Sequence, residues 1–419
     1  MGDAEAPACL AGVLPCVCLA ATAPIEDAVD IRHSPDDDRF MGEALGLAAR
    51  IPRRPWPNPP VGAVVVNGGR VVGRGTHHGA GTAHAEIVAL DEAGARAHGA
   101  TLYCTLEPCN HKGRTPPCAP RVAESGVQRA VIGVADPNPD VRGGGIAVLR
   151  AAGIVVSAGV RGDAALELIW PFAVTRGFRR PFVVLKTATS LDARFAPPDA
   201  DGSGRPVYLS GLEARRDVHR LRRWSDVVLV GERTMVADHP RLDGRLTDDS
   251  DGCPAADPIP AWADTDLSFD GRWLGHEHWV FAGRDSIPEG RRPAIECRGG
   301  SVVPCHTADG HVSPNSVVTE FGRLGGHVLM VEGGATLAAA FLRAGVVDRW
   351  VCYTAPLVLG AGATWPVGPC RAGDPGAFHL TRVERCGGDV KAVFDREPFD
   401  DVLAGLVASG GENDGRRGE

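Results

Sequence analysis

Short valine-rich runs alternate with helix-patterned segments twice along this chain, which restricts it to layered α/β folds with crossover connections. The first two runs, residues 61–66 and 70–73, are joined by Asn67-Gly68-Gly69, the chemistry of a hairpin turn. Ahead of them, residues 38–50 carry Phe40, Met41, Leu45, Leu47 and Ala48 at near-helical spacing. The pattern then predicts a helix over 83–97, a strand over 100–106, a helix over 119–124, a strand over 130–134, a helix over 145–152 and a strand over 154–158. A second series starts at 182–186, after a linker at 176–181 that reads as the domain boundary. Strands are expected at 227–231, 279–282, 327–331 and 350–354, with helices at 211–223 and 335–344. Residues 243–270, rich in Asp, Gly and Pro, read as a mobile surface loop.

A chain of 419 residues exceeds what one hydrophobic core usually serves, so two domains are expected. The segmentation is a disordered extension over 1–37, a first domain over 38–176, a second over 181–409 and a disordered tail over 410–419. No apolar run is long enough to cross a bilayer, which argues against a membrane partner. A net charge of −8 gives no positive field to gather a polyanion and weighs against nucleic acid, while a few local arginines suffice for a small phosphorylated ligand. Twelve cysteines spread thinly over so long a chain fit a reduced, cytoplasmic protein better than a disulfide scaffold. Cys9, Cys16 and Cys18 stand near the N-terminus in a mildly apolar stretch that lacks a basic start. It reads as an extension or a misplaced start codon; a zinc site there is the weaker alternative, because no fourth ligand follows. Assembly into a homo-oligomer stays open.

The chemistry concentrates in His84-Ala85-Glu86, Pro108-Cys109 and Cys118. Zinc at a catalytic site takes three protein ligands and leaves a fourth position to water, whose pKa falls toward neutrality. His84, Cys109 and Cys118 supply three donors, and Glu86, two residues past the histidine at a helix start, is placed to carry a proton from water to a leaving nitrogen. His-x-Glu alone is weak evidence, since exposed helices contain it by chance. The combination is strong: the cysteines fall where a strand leads into a second helix start, whose N–H groups favour thiolates. A purely structural zinc normally has four ligands.

The series Pro57-Asn58-Pro59-Pro60-Val61-Gly62, His84-Ala85-Glu86, Thr105 to Cys118 with Gly113-Arg114-Thr115-Pro116-Pro117 inside, and Asp136-Pro137-Asn138-Pro139 resembles the bifunctional riboflavin-biosynthesis deaminase/reductase family. The resemblance implies a cytidine-deaminase-like three-layer α/β domain followed by a dihydrofolate-reductase-like domain. It implies Zn2+ and NADPH as cofactors and 2,5-diamino-6-ribosylamino-4(3H)-pyrimidinone 5′-phosphate as substrate. Asn58, His77, His111 and Arg114 would line the deaminase pocket, with Arg114 able to hold a phosphate bidentately. The likeness continues through Lys186 to Asp192, Ala214 to Arg222, Gly231 to Thr234, Asp238 to Leu242, Glu332-Gly333-Gly334 and Pro356 to Gly360. It implies that Ala188, Thr234, Asp238, Gly333 and Gly334 face the cofactor and that Arg222, Leu242, Arg245 and Glu332 face the substrate. Three positions depart from the family pattern: Ala193 where glycine is usual, Pro206 where a substrate-binding serine is usual, and Tyr208 where tryptophan meets the cofactor. The family's hydrophobic strand ending in Asp is hardly recognisable around 259–264. These departures leave a second reading open, a diverged pathway-specific deaminase with an altered or silent reductase.

Overall fold

A computed structural model describes residues 34–51, 57–112, 115–138, 142–196, 208–245, 257–269, 271, 274, 276–365, 378–397, 399 and 401–405. The chain enters at Ser34, which caps helix α1 (Pro35–Ala49): the Asp37 N–H donates to Ser34 Oγ at 3.1 Å, and the Ser34 N–H donates to Asp37 Oδ2 at 3.2 Å. Residues 35–37, expected in the extension, are therefore helical. Asp37 also accepts from Tyr103 OH at 2.9 Å and from Arg129 at 2.6 and 3.0 Å. Burial by itself raises its pKa, yet the Arg129 guanidinium and these donors hold it well below the usual carboxylate range.

The first sheet has the order β2-β1-β3-β4-β5. β1 (Gly62–Asn67) and β2 (Arg70–Thr76) form the expected hairpin, β3 (Thr101–Leu106) runs antiparallel to β1, and β4 (Arg129–Val134) and β5 (Val155–Ala158) follow in parallel. The sheet is sandwiched by helices. Gly62 meets the α1 backbone at Ala44, and Gly75 meets the backbone of α2 (Ala85–Ala93) at Ala85, each so closely that a Cβ would clash. Gly75 pairs with Ala63, the residue after Gly62, so these contacts lie on opposite faces. α3 (Cys118–Glu124) packs on α2 and on α4 (Gly144–Ala151), whereas α5 (Gly162–Phe178) packs on β4 and α1. α5 replaces part of the expected linker: Arg176 lies inside a 17-residue helix.

The second sheet has the order β10-β9-β8-β7-β13-β6-β14-β16-β15. Its members are β6 (Phe182–Ser190), β7 (Val227–Gly231), β8 (Ile259–Ala263), β9 (His278–Gly283), β10 (Gly300–Cys305), β13 (Val328–Val331), β14 (Arg349–Ala355), β15 (His379–Cys386) and β16 (Asp389–Asp395). A small pair, β11 (Thr307–Ala308) with β12 (His311–Val312), stands apart. Strands from β10 to β14 are parallel, and β16 runs antiparallel to both of its neighbours, β14 and β15. Connecting helices are α6 (Leu212–Trp224), α7 (Glu232–Asp238), α8 (Arg291–Glu296), α9 (Pro314–Arg323) and α10 (Ala335–Arg343). The segment expected as a mobile loop contains β8, hydrogen-bonded between β7 and β9 and followed by buried Asp264, which accepts from the Ser268 and Phe269 N–H groups. The strand ending in Asp is thus present.

The two sheets are tied through α5. Glu167 accepts from Arg349 at 2.7 and 3.0 Å and from Arg382 at 2.8 Å. Arg349 also donates to Asp395 at 2.7 and 3.0 Å, and Asp395 accepts from Trp170 Nε1 at 2.9 Å. Trp170 is buried against Phe399, ring centroids 5.1 Å apart.

Candidate metal centre and active sites

His84 sits just ahead of α2 in extended conformation, Glu86 in the first turn, Cys109 in the loop after β3 and Cys118 at the start of α3. Two βα junctions therefore deliver the donors. The ligand atoms of His84, Cys109 and Cys118 lie within 4.8 Å of one another. His84 Nδ1 is 3.1 Å from Cys118 Sγ and 3.4 Å from Cys109 Sγ, while its other nitrogen, Nε2, lies 3.3 Å from Thr115 Oγ1. One soft nitrogen and two sulfurs at this separation, with the second imidazole nitrogen held by a hydroxyl, fit a tetrahedral zinc ion with one open position. The Cys118 N–H donates to Cys109 Sγ at 3.4 Å. The hydrogen bond from Cys118 brings Cys109 down to about 4, and the same bond, with burial, pushes Cys118 up.

A cavity of about 300 Å³ opens beside these donors, lined among others by Asn58, His77, Glu86, His111, Asp136 and Arg176. Glu86 is 3% exposed, and burial pushes its carboxyl up to about 7. His77 Nδ1 lies 3.1 Å from the Ala83 carbonyl, which can only accept, so that nitrogen carries the proton. Burial lowers the His77 pKa and keeps the ring neutral, which leaves Nε2 to accept from Asn58 Nδ2 at 2.7 Å. The amide orientation of Asn58 is thereby set, with Oδ1 left to accept. Glu107 serves a different end. Its buried carboxylate accepts from the N–H groups of Asp136, Gly143, Gly145 and Ile146 at 2.9–3.1 Å, which pins the β4–α4 loop to the cavity wall.

In the second sheet, β13 lies between β6 and β7 and parallel to both, so the carboxyl ends of all three open on one edge. Such edges are where α/β sheets bind ligands. Ala188 is near the end of β6, Thr234 and Asp238 lie on α7 after β7, and Gly333-Gly334 leads from β13 into α10. With Gly334 in the cap position, no side chain covers the first N–H groups of α10, a fit for a dinucleotide phosphate. Glu332 accepts from Arg222 at 2.8 and 3.0 Å and from Lys186 at 3.2 Å. Burial raises the Glu332 pKa, but the two cations outweigh it and hold the group at about 2. Arg222 and His219 both reach the Asp243 carbonyl, at 3.1 and 2.6 Å. Leu242 is buried at a left-handed φ of 58°, and Arg245 is exposed and paired with Asp243.

A family model described as "Cytidine and deoxycytidylate deaminase zinc-binding region" matches residues 34–134, and one described as "RibD C-terminal domain" matches residues 181–392. Riboflavin biosynthesis protein RibD of Escherichia coli (strain K12) is 36% identical over 372 residues, 84% of this chain and 98% of that protein. The chain belongs to the RibD family. RibD of Acinetobacter baumannii superposes with a TM-score of 0.70 at 32% identity, covering 86% of this chain and 98% of that one. A Thermotoga maritima structure titled a diaminohydroxyphosphoribosylaminopyrimidine deaminase/5-amino-6-(5-phosphoribosylamino)uracil reductase gives 0.69 at 30% identity, with the same coverage. This RibD chain carries both parts, a zinc-binding deaminase domain and an NADPH-using reductase domain, and its function is deamination followed by reduction in riboflavin biosynthesis. Nothing among these likenesses favours a silent reductase.

The structure brings His84, Cys109, Glu86, Asn58, His77 and His111 to one cavity, sets Cys118 beside His84 and Cys109, and pairs Arg222 with Glu332. Arg114 and Pro206 lie outside the described residues, as do Cys9, Cys16 and Cys18. Tyr208 is exposed, with the Arg215 guanidinium 4.8 Å from its ring centroid. Ala193 adopts a φ of 58°, the left-handed region in which glycine is at ease. Sequence reasoning assigned no role to Lys186, Glu107, Asp136, Thr115, Phe172 or Arg176. The first four stand inside motifs that carried the family likeness; the last two do not.

Proposed function

We propose that His84, Cys109 and Cys118 hold the catalytic zinc, that Glu86 is the proton carrier, and that the substrate is 2,5-diamino-6-ribosylamino-4(3H)-pyrimidinone 5′-phosphate. One observation carries this reading: three soft donors converge beside a buried carboxylate at the floor of a cavity that also holds a pre-oriented amide. Zinc, when bound, polarises water and makes it nucleophilic at neutral pH. Glu86 accepts a proton from the attacking water and delivers one to the departing ring amino group, so that one water is consumed and one ammonia released. Asn58 reads the hydrogen-bonding edge of the pyrimidine through Oδ1, held in place by His77, which the Ala83 carbonyl orients in turn. His111 and Arg114 complete the substrate contacts.

In the second domain, Ala188, Thr234, Asp238, Gly333 and Gly334 hold NADPH, which supplies a hydride when bound. Arg222, Glu332, Leu242 and Arg245 receive the deaminated product. Lys186 joins them through Glu332. The deaminase part runs from Ser34 through α5, and the reductase part begins at Pro181. The thin spread of twelve cysteines supports a cytoplasmic location, and the net charge of −8 weighs against a nucleic-acid partner; no helix among the described residues is long and apolar enough to cross a membrane. The test is incubation of the zinc-loaded chain with the diaminopyrimidine phosphate, with and without NADPH. Ammonia should appear in both, and the reduced ribityl product only with NADPH; no ammonia in either overturns the reading.

A further inference from the structure

α5 lies beyond residues 34–134, the stretch matched by the zinc-binding-region model, yet two of its side chains, Phe172 and Arg176, line the deaminase cavity. They are four residues apart, hence neighbours on one helical face. The Arg176 guanidinium carbon lies 5.1 Å from the centroid of the Phe172 ring. Stacking occupies the face of a guanidinium and leaves its edge N–H groups free to point elsewhere, the geometry that suits a phosphate.

Of the residues that line the cavity, Glu86 and Cys109 are buried and Arg176 is exposed. Among the described lining residues Arg176 is the one arginine or lysine; the acids are Glu86, Glu107 and Asp136. Glu107 is taken up by four backbone donors, and Asp136, pushed up to about 6 by burial, accepts from the Asn138 N–H at 2.8 Å. A substrate with its reacting ring against Glu86 therefore finds in Arg176 the one described lining cation that can meet its charged end. The opposite face of the helix is fixed: Glu167 and Trp170 are bound to Arg349 and Asp395 of the second sheet.

We propose that Arg176 grips the 5′-phosphate of the substrate in the deaminase cavity, so that the deaminase site borrows its anion contact from the helix that also docks on the reductase. The proposal rests on the diaminopyrimidine phosphate being the substrate, and the wild-type chain tests that premise separately. The experiment compares ammonia release by wild type, Arg176→Ala and Arg176→Lys, all zinc-loaded and full length, on the diaminopyrimidine riboside 5′-phosphate and on the same riboside without phosphate. Losing a hydrogen bond to a charged group corresponds to about 10- to 100-fold. Arg176→Ala should lose that much in kcat/KM on the phosphorylated compound, chiefly through KM, and nothing on the riboside, with Arg176→Lys between. NADPH oxidation on the deaminated intermediate should match wild type, which shows that the variant is folded. Equal losses on both compounds, or none on either, overturn the assignment while wild-type turnover upholds the substrate. No ammonia from wild type overturns both.

Discussion

Replacing Arg349 by methionine keeps the apolar stem but deletes the cation that faces two carboxylates. In the parent, Arg349 donates to Asp395 at 2.7 and 3.0 Å and to Glu167 at 2.7 and 3.0 Å. Asp395 is 0% exposed and, among the described residues, would keep the neutral donors Trp170 and Thr381, at 2.9 and 2.6 Å. Glu167 suffers less: its side chain is 29% exposed and it retains Arg382 at 2.8 Å. Leaving one buried charge without its partner costs about 3–5 kcal/mol. At about 2–4 °C per kcal/mol for a domain of this size, the unfolding transition should fall by about 6–20 °C. Calorimetry on wild type, Arg349→Met and the double variant Arg349→Met/Asp395→Leu checks this. The double variant, in which the stranded carboxylate is gone, should melt above the single one. A single variant melting within about 2 °C of wild type would refute the claim that this buried network carries substantial stability.

Glu86→Gln should keep zinc and lose ammonia release, whereas Cys109→Ala should lose both; elemental analysis beside the ammonia assay separates them. Glu332, at about 2 in the fold against 4.5 for a free glutamate, contributes stability that is fully present above pH 4.5 and drains away as pH falls toward 2. Acid titration of unfolding should show that limb in wild type and a flatter one in Glu332→Gln. At Ala193, where φ is 58°, a left-handed alanine costs about 1 kcal/mol, offset in part by the greater freedom of an unfolded glycine. Ala193→Gly should therefore melt at or slightly above wild type and Ala193→Val clearly below it; the reverse order would contradict the strain argument.

The metal centre was legible because His84, Glu86 and Cys118 sit at the starts of helices, and Cys109 just past the end of a strand, that the apolar spacing already marked, so motif and element pointed to one place. α5 was not, for a physical reason. Ala165, Leu166, Ile169, Trp170, Phe172 and Val174 are all buried, because the helix is covered from several sides, and a helix apolar all round shows no 3.6-residue stripe. Pro171 inside it further disguises the pattern. β8 escaped notice because Pro260 interrupts a five-residue strand that would otherwise read as buried core. β15 escaped because most of its residues are exposed at the sheet edge, where alternation has little to enforce. Lys186 lacked a role because its partner Glu332 is 146 residues away and only pairing of distant strands brings them together.

The order of the large sheet has a bearing on biosynthesis. β6 and β7 are not hydrogen-bonded to each other; the strand that lies between them starts at Val328, roughly a hundred residues after β7. A growing polypeptide can thus complete its first sheet on the ribosome while the second still has open edges at its centre, the kind of unpaired surface that invites aggregation. Truncation or stalling before that strand would leave a released chain whose N-terminal half is native and whose C-terminal half is prey for chaperones and proteases.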